Sequence, residues 1–197
     1  MLILIANLIP YKGHEDLLNA LAMIKDRLPE DWTLLCVGRD NGIGDDLQST
    51  ARDLSISSNV HWMGLRNDAI QLLRLSDIGL MCSHQEGFSN SILEGMAAGL
   101  PMIVTDVGGN SEAVLHDQTG YVVPPHQPKA MAEAIVELAL DQERISVMGT
   151  MGRTRISEFF SLNGCIDRYE NLYMGLLGKS SGSVSEIISG QESKGTV

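Results

Sequence analysis

Two hydrophobic rhythms take turns along this chain. Short apolar runs of strand length occur at residues 2–6, 32–37, 59–63, 78–81, 102–105 and 120–123. Between them lie stretches with helical spacing. In residues 14–28, Leu17, Leu18, Leu21, Ile24 and Leu28 fall on one face; in residues 128–140, Met131, Ala134, Ile135 and Leu138 do the same. Further helices are predicted at 45–54, at 67–75 with Asn67 as N-cap, at 90–98 with Ser89 as N-cap and Gly99 and Pro101 as the stop, and at 110–115. Two more follow at 144–160 and 163–177. Six short strands alternating with helices predict an α/β fold, a doubly wound parallel sheet with helices on both faces. Residues 178–197 are rich in serine and glycine and are expected to be a disordered tail.

Composition narrows the function classes. The chain has 197 residues, 44% of them hydrophobic, and a formal net charge of −11, which suits one globular domain plus a tail and argues against binding a nucleic-acid backbone. No apolar run approaches the ~20 residues of a membrane span. The opening MLILIA is short and lacks a basic flank and a cleavage site, so it reads as a strand and not a signal peptide. Cys36, Cys82 and Cys165 are widely spaced and form no C-x-x-C pair. They read as buried, reduced thiols of a cytoplasmic protein.

In a doubly wound sheet, ligands sit at the carboxyl ends of the strands, near the switch point. The informative residues of this chain fall there. Lys12 follows the first strand, Gly38 and Arg39 the second, Gly64 and Arg66 the third, residues 83–90 the fourth, and residues 107–109 the fifth. The densest stretch is EGFSNSILEGMAAGLPMIVTDVGGNSE, in which Glu86 and Glu94 are separated by seven residues. A loop carboxylate, a helix N-terminus and a helix carboxylate then face one crevice. The free N–H groups and dipole at Gly87, Phe88, Ser89 and Asn90 suit a diphosphate, although Phe88 has packing as its commoner role. Lys12, at the mouth of a glycine turn, offers a mobile positive charge to phosphate oxygens. Glu112 serves equally well as a ligand neighbour or as a charge favourable to the helix dipole. The five histidines show no metal-ligand spacing, and no D-x-D pair is present, so no metal and no cofactor are predicted; His84, two residues before Glu86, is a candidate pocket residue.

These motifs resemble the retaining, nucleotide-sugar-dependent glycosyltransferases of the GT-B fold, the glycosyl transferases group 1 family. The resemblance runs from about Leu2 to Leu177 and rests on LILIANLIPYKGHEDLLNAL, EGFSNSILE, GMAAGLP and TDVGGNSE. It covers the C-terminal, donor-binding Rossmann-like half of such an enzyme. The resemblance implies a hexosyltransferase that moves a sugar from a nucleotide-sugar, UDP-linked by default and GDP-linked as the competitor, to a glycan or lipid-linked acceptor. It assigns Lys12 to the diphosphate, Glu86 to the donor sugar and Glu94 to the ribose hydroxyls, where a carboxylate accepts two hydrogen bonds. It places Asn7, Gly13, Gly64 and Arg66 around the donor, beside Gly38, His84, Gly87, Phe88, Ser89 and Asn90, which their positions in the loops bring to the same edge. Many relatives carry an arginine where this chain has Asn7, which leaves Arg39 and Arg66 as alternative cations. The acceptor-binding N-terminal domain is absent from the resemblance. Residues 1–177 are therefore expected to be the donor half of a longer enzyme, the alternatives being a partner of a separate acceptor subunit or a stand-alone module. Such a half is expected to be poorly active alone, with any peripheral membrane contact made through the absent half, and to expose Phe159, Phe160, Tyr169 and Tyr173 as an apolar patch. A non-enzymatic nucleotide-sugar module and a GT-B-type epimerase are the competing readings.

Overall fold

The computed structural model describes residues 1–177. They form two compact units, Met1–Ser157 and a second that begins at Glu158. The expected tail at 178–197 lies outside the described residues. The elements in order are β1 (Leu2–Ile5), a 3-10 turn (Pro10–Lys12), α1 (His14–Ile24), β2 (Leu34–Val37), α2 (Gly44–Asp53), β3 (Val60–Gly64), α3 (Ala69–Leu75), β4 (Ile78–Met81) and α4 (Asn90–Ala98). Then come β5 (Met102–Thr105), α5 (Asn110–Ala113), β6 (Gly120–Val123), α6 (Pro128–Ala139), α7 (Gln142–Phe159) and α8 (Leu162–Leu176).

The six strands form one sheet in the order β3-β2-β1-β4-β5-β6, and every pairing is parallel. The period-2 alternation of a strand explains how both faces are covered. Leu2, Leu4, Leu34, Cys36, Ile78, Leu80 and Ile103 point to one face and join Leu17, Leu18 and Leu21 of α1 and Met131, Ile135 and Leu138 of α6 in one core. Their neighbours Ile3, Leu35, Val37, Met81, Met102 and Val104 point to the other and pack with Leu73 of α3, Ile92 and Met96 of α4 and Ala113 of α5. Each fully buried leucine or isoleucine in these clusters contributes about 1.5–3 kcal/mol.

Several expected boundaries move. α1 ends at Ile24 and not at Leu28, because Pro29 disfavours helical backbone just before it and the chain turns from Lys25 on. β2 begins at Leu34; Trp32 is buried in the core but its N–H closes a turn onto the Pro29 carbonyl. Asp68, and not Asn67, occupies the cap position of α3. Cys36 and Cys82 are buried free thiols as expected, whereas Cys165 is half-buried. In the second unit, Ser161 caps α8 by accepting the Gly164 N–H at 3.2 Å, and no residue of α8 is buried. Phe159, Tyr169 and Tyr173 are exposed there, while Phe160 is half-buried. Among the described residues no helix is long and apolar enough to cross a membrane.

Candidate functional site

The strand order reverses direction between β1 and β4, and the residues that follow these two strands line a cleft of about 360 Å³. Its walls include Asn7 and Lys12 after β1, Gly38 after β2, Leu65 and Arg66 after β3, Glu86, Phe88 and Ser89 after β4, and Asn90 and Ser91 of α4. This is the position a doubly wound sheet reserves for ligands.

An ion pair forms part of the cleft wall. Lys12 Nζ lies 2.6 Å from Glu86 Oε1, both side chains being largely buried at 18% and 10% exposure. The buried Ser83 hydroxyl donates to the same carboxylate oxygen at 2.7 Å. The chain delivers Lys12 on the 3-10 turn, whose first residue is Pro10 and whose end is Gly13 at φ 71°. A side chain at Gly13 would also run into the Cys82 carbonyl, so the turn needs glycine on two counts. The loop carrying Glu86 is fixed from three sides: the His84 N–H donates to the Tyr11 carbonyl at 2.7 Å, the Thr105 hydroxyl donates to the Ser83 carbonyl at 2.6 Å, and the Gly109 N–H donates to the Gly87 carbonyl at 2.7 Å.

α4 opens directly onto the cleft. Ser89 holds the N-cap position, but its hydroxyl accepts no first-turn backbone N–H and instead meets the Ser91 hydroxyl at 3.0 Å. Ser89 thus occupies the expected cap position without capping through its side chain: among the described residues the first-turn amides of α4 have no side-chain acceptor and keep their partial positive charge. Arg66 lines the cleft while held by Asp68 through two hydrogen bonds, at 2.8 and 2.6 Å. Asn7 accepts the Arg39 N–H at 3.0 Å, which uses its carbonyl end to close the loop after β2.

Not every expected site residue faces the cleft. Gly13, Gly64 and Gly87 shape the turns around it and are not among its walls. Glu94 is exposed on the second turn of α4, outside the walls and without a hydrogen-bond partner among the described residues; it lies four residues on from Asn90, hence on the same side of the helix. His84 turns away from the cleft to Asp16, at 2.8 Å, and its ring packs on His126 with centroids 3.7 Å apart. Leu65 and Ser91 line the cleft without being among the expected site residues; Ser83 opens the 83–90 loop that the strand order brings to this edge. Ser91 adjoins the EGFSN motif, its one signal in the sequence. Asp16 and His126 carried none, being 68 and 42 residues from His84.

A parallel sheet of this order, flanked by helices and open at its switch point, defines a Rossmann-like α/β domain. The chain belongs to the glycosyl transferases group 1 family, whose profile matches residues 1–141. N-acetyl-alpha-D-glucosaminyl L-malate synthase of Bacillus anthracis is 32% identical over 177 residues, 90% of this chain and 46% of that protein. A glycosyltransferase of Rickettsia africae superposes with a TM-score of 0.81 at 27% identity, over 91% of this chain and 48% of that one. Anabaena HepE, solved in complex with UDP and glucose, gives a TM-score of 0.81 at 24% identity, over 88% of this chain and 48% of that one. The chain thus spans about half the length of the relatives it matches.

Proposed function

We propose that the unit Met1–Ser157 binds the nucleotide-sugar donor of a retaining glycosyltransferase, UDP-linked sugars first and GDP-linked sugars second. The observation that carries this reading is the Lys12–Glu86 pair in the wall of the switch-point cleft, braced from behind by Ser83, together with the uncapped start of α4. The binding of UDP and glucose by HepE, a protein of the same fold, supports it.

In this reading the donor diphosphate lies against the first-turn amides of α4 and draws Lys12 away from Glu86. Lys12 and the amides then stabilise the negative charge that grows on the diphosphate as its bond to the anomeric carbon breaks. Glu86, released from Lys12 and still held by Ser83, stabilises the positive charge developing on the sugar ring. The ribose extends along α4, where Glu94 accepts its two hydroxyls. Asn7 supplies no cation, so Lys12 carries the charge balance with Arg66 as the second candidate.

Calorimetric titration with UDP-, GDP- and ADP-linked sugars tests this reading. One nucleotide class is expected to bind, and Lys12→Ala to weaken it about 10- to 100-fold, the value of one hydrogen bond to a charged group. Glu94→Ala is expected to weaken UDP but not pyrophosphate. A wild-type chain indifferent to all three classes, or a Lys12→Ala chain that binds like wild type, overturns it. The second reading, a module that binds donor without transferring sugar, is favoured by the use of Asn7 to hold the Arg39 backbone in place of a phosphate-binding cation. Release of sugar from bound donor, lost in Glu86→Ala, decides against the module.

A further inference from the structure

Asp16, His84 and His126 come from three separate segments: the first turn of α1, the loop after β4, and the turn between β6 and α6. One ligand atom from each lies within 4.8 Å of the others. His84 Nε2 is 2.8 Å and His126 Nδ1 is 4.0 Å from the same oxygen, Asp16 Oδ2. Around a tetrahedral zinc with bonds near 2.0–2.1 Å, neighbouring ligand atoms are about 3.3 Å apart. The three atoms thus need shifts of about an ångström or less to embrace an ion.

Three further features surround the group. A void of about 10 Å³, at the lower limit for one water, lies beside two of the three, with Asp16, His126, Cys82 and Thr105 among its walls and His84 outside them. His126 also holds a left-handed backbone, φ 57°, which a non-glycine residue rarely adopts. The two imidazoles are in ring contact, centroids 3.7 Å apart and tilted by 35°, and each moves outward by about an ångström to take a ligand position on one ion.

We propose that Asp16, His84 and His126 form a binding site for one divalent first-row transition-metal ion, of which zinc is the representative. Two imidazole nitrogens and one carboxylate oxygen are the donor set such ions prefer, whereas magnesium and calcium favour oxygen. With three protein ligands and a His126 side chain 65% exposed, the fourth position opens to solvent. The ion fastens the loop that carries Glu86 to α1 and to the β6–α6 turn. The proposal stands apart from the donor reading, because none of its three ligands lines the donor cleft.

The test is titration of the untagged full chain, stripped of metal by chelator and dialysed, with zinc by calorimetry and with cobalt by visible absorption. One equivalent is expected, with ligand-field bands in the cobalt form. His126→Asn, which tolerates the left-handed backbone, and His84→Gln are each expected to weaken binding by more than about tenfold, while His61→Ala, on the far strand β3, leaves it unchanged. Zinc is also expected to raise the thermal midpoint of wild type and not of His126→Asn. The absence of a one-equivalent event, or binding that survives His126→Asn unaltered, overturns the proposal. His126 is exposed, so its substitution remains decisive even where His84→Gln fails to fold.

Discussion

His14 is 2% exposed in the first turn of α1, and neither ring nitrogen meets a hydrogen-bond partner among the described residues. Burial is the main cause that lowers its pKa from 6.5 to about 4; the Ala6 backbone, near the ring but outside hydrogen-bond geometry, works against the shift and the Lys12 charge works with it. The sign follows from linkage. As pH falls below 6.5 the unfolded chain takes up a proton at His14 that the folded chain refuses until about pH 4, so stability falls across that window. At about 1.4 kcal/mol for each pH unit, the loss reaches at most about 3.5 kcal/mol. Urea unfolding between pH 7 and pH 4 is expected to show this decline, and His14→Leu to flatten it; equal slopes in both chains would contradict it. The sequence marked Lys12 and Glu86 as site residues through their local motifs. It did not show that they pair with each other, 74 positions apart, nor that His84 turns to Asp16, because such contacts arise only when strands distant in sequence become neighbours.

At the scale of elements, the site depends on turns that approach one another without side chains. Gly108 holds φ 53°, and a Cβ there would run into the carbonyl oxygens of Glu86 and Gly87, which are backbone atoms with little freedom to move. Gly108→Ala is expected to cost about 1–3 kcal/mol in urea unfolding and to weaken donor binding by displacing the Glu86 loop. Gly87→Ala is the control: its Cβ would meet open space and its φ is unstrained, so a change within about 0.5 kcal/mol is expected. Equal effects of the two substitutions would mean that the contact between the turns is unimportant. The strand and helix order was legible because both periods recur cleanly; β4, β5 and β6 begin and end where the apolar runs do. Boundaries were less legible where a proline or a cap competes with hydrophobic period. α1 yields at Pro29, and the Ser89 hydroxyl leaves the helix backbone for Ser91. The 3-10 turn that delivers Lys12 has no hydrophobic period of its own, and only its proline and glycine hinted at a turn.

For the whole molecule, the proposed donor makes a prediction that local substitutions do not. The chain carries a net charge of −11, yet the cleft gathers Lys12, Arg66 and the start of α4 around one space. A ligand bound there stabilises the folded unit by mass action, about 2.7 kcal/mol when its concentration is a hundred times Kd. For a domain of this size each kcal/mol moves Tm by about 2–4 °C, so the preferred nucleotide-sugar at that concentration is expected to raise Tm by about 5–11 °C. Trp32 and Trp62 report on this unit directly, Trp32 from its core and Trp62 from β3, and both belong to Met1–Ser157. Their fluorescence transition is therefore expected to shift with donor concentration in wild type and to shift less in Lys12→Ala at the same concentration. A tryptophan transition insensitive to every nucleotide-sugar, in a chain that still unfolds cooperatively, would mean that the cleft is not a donor site, whatever ions bind at Asp16, His84 and His126.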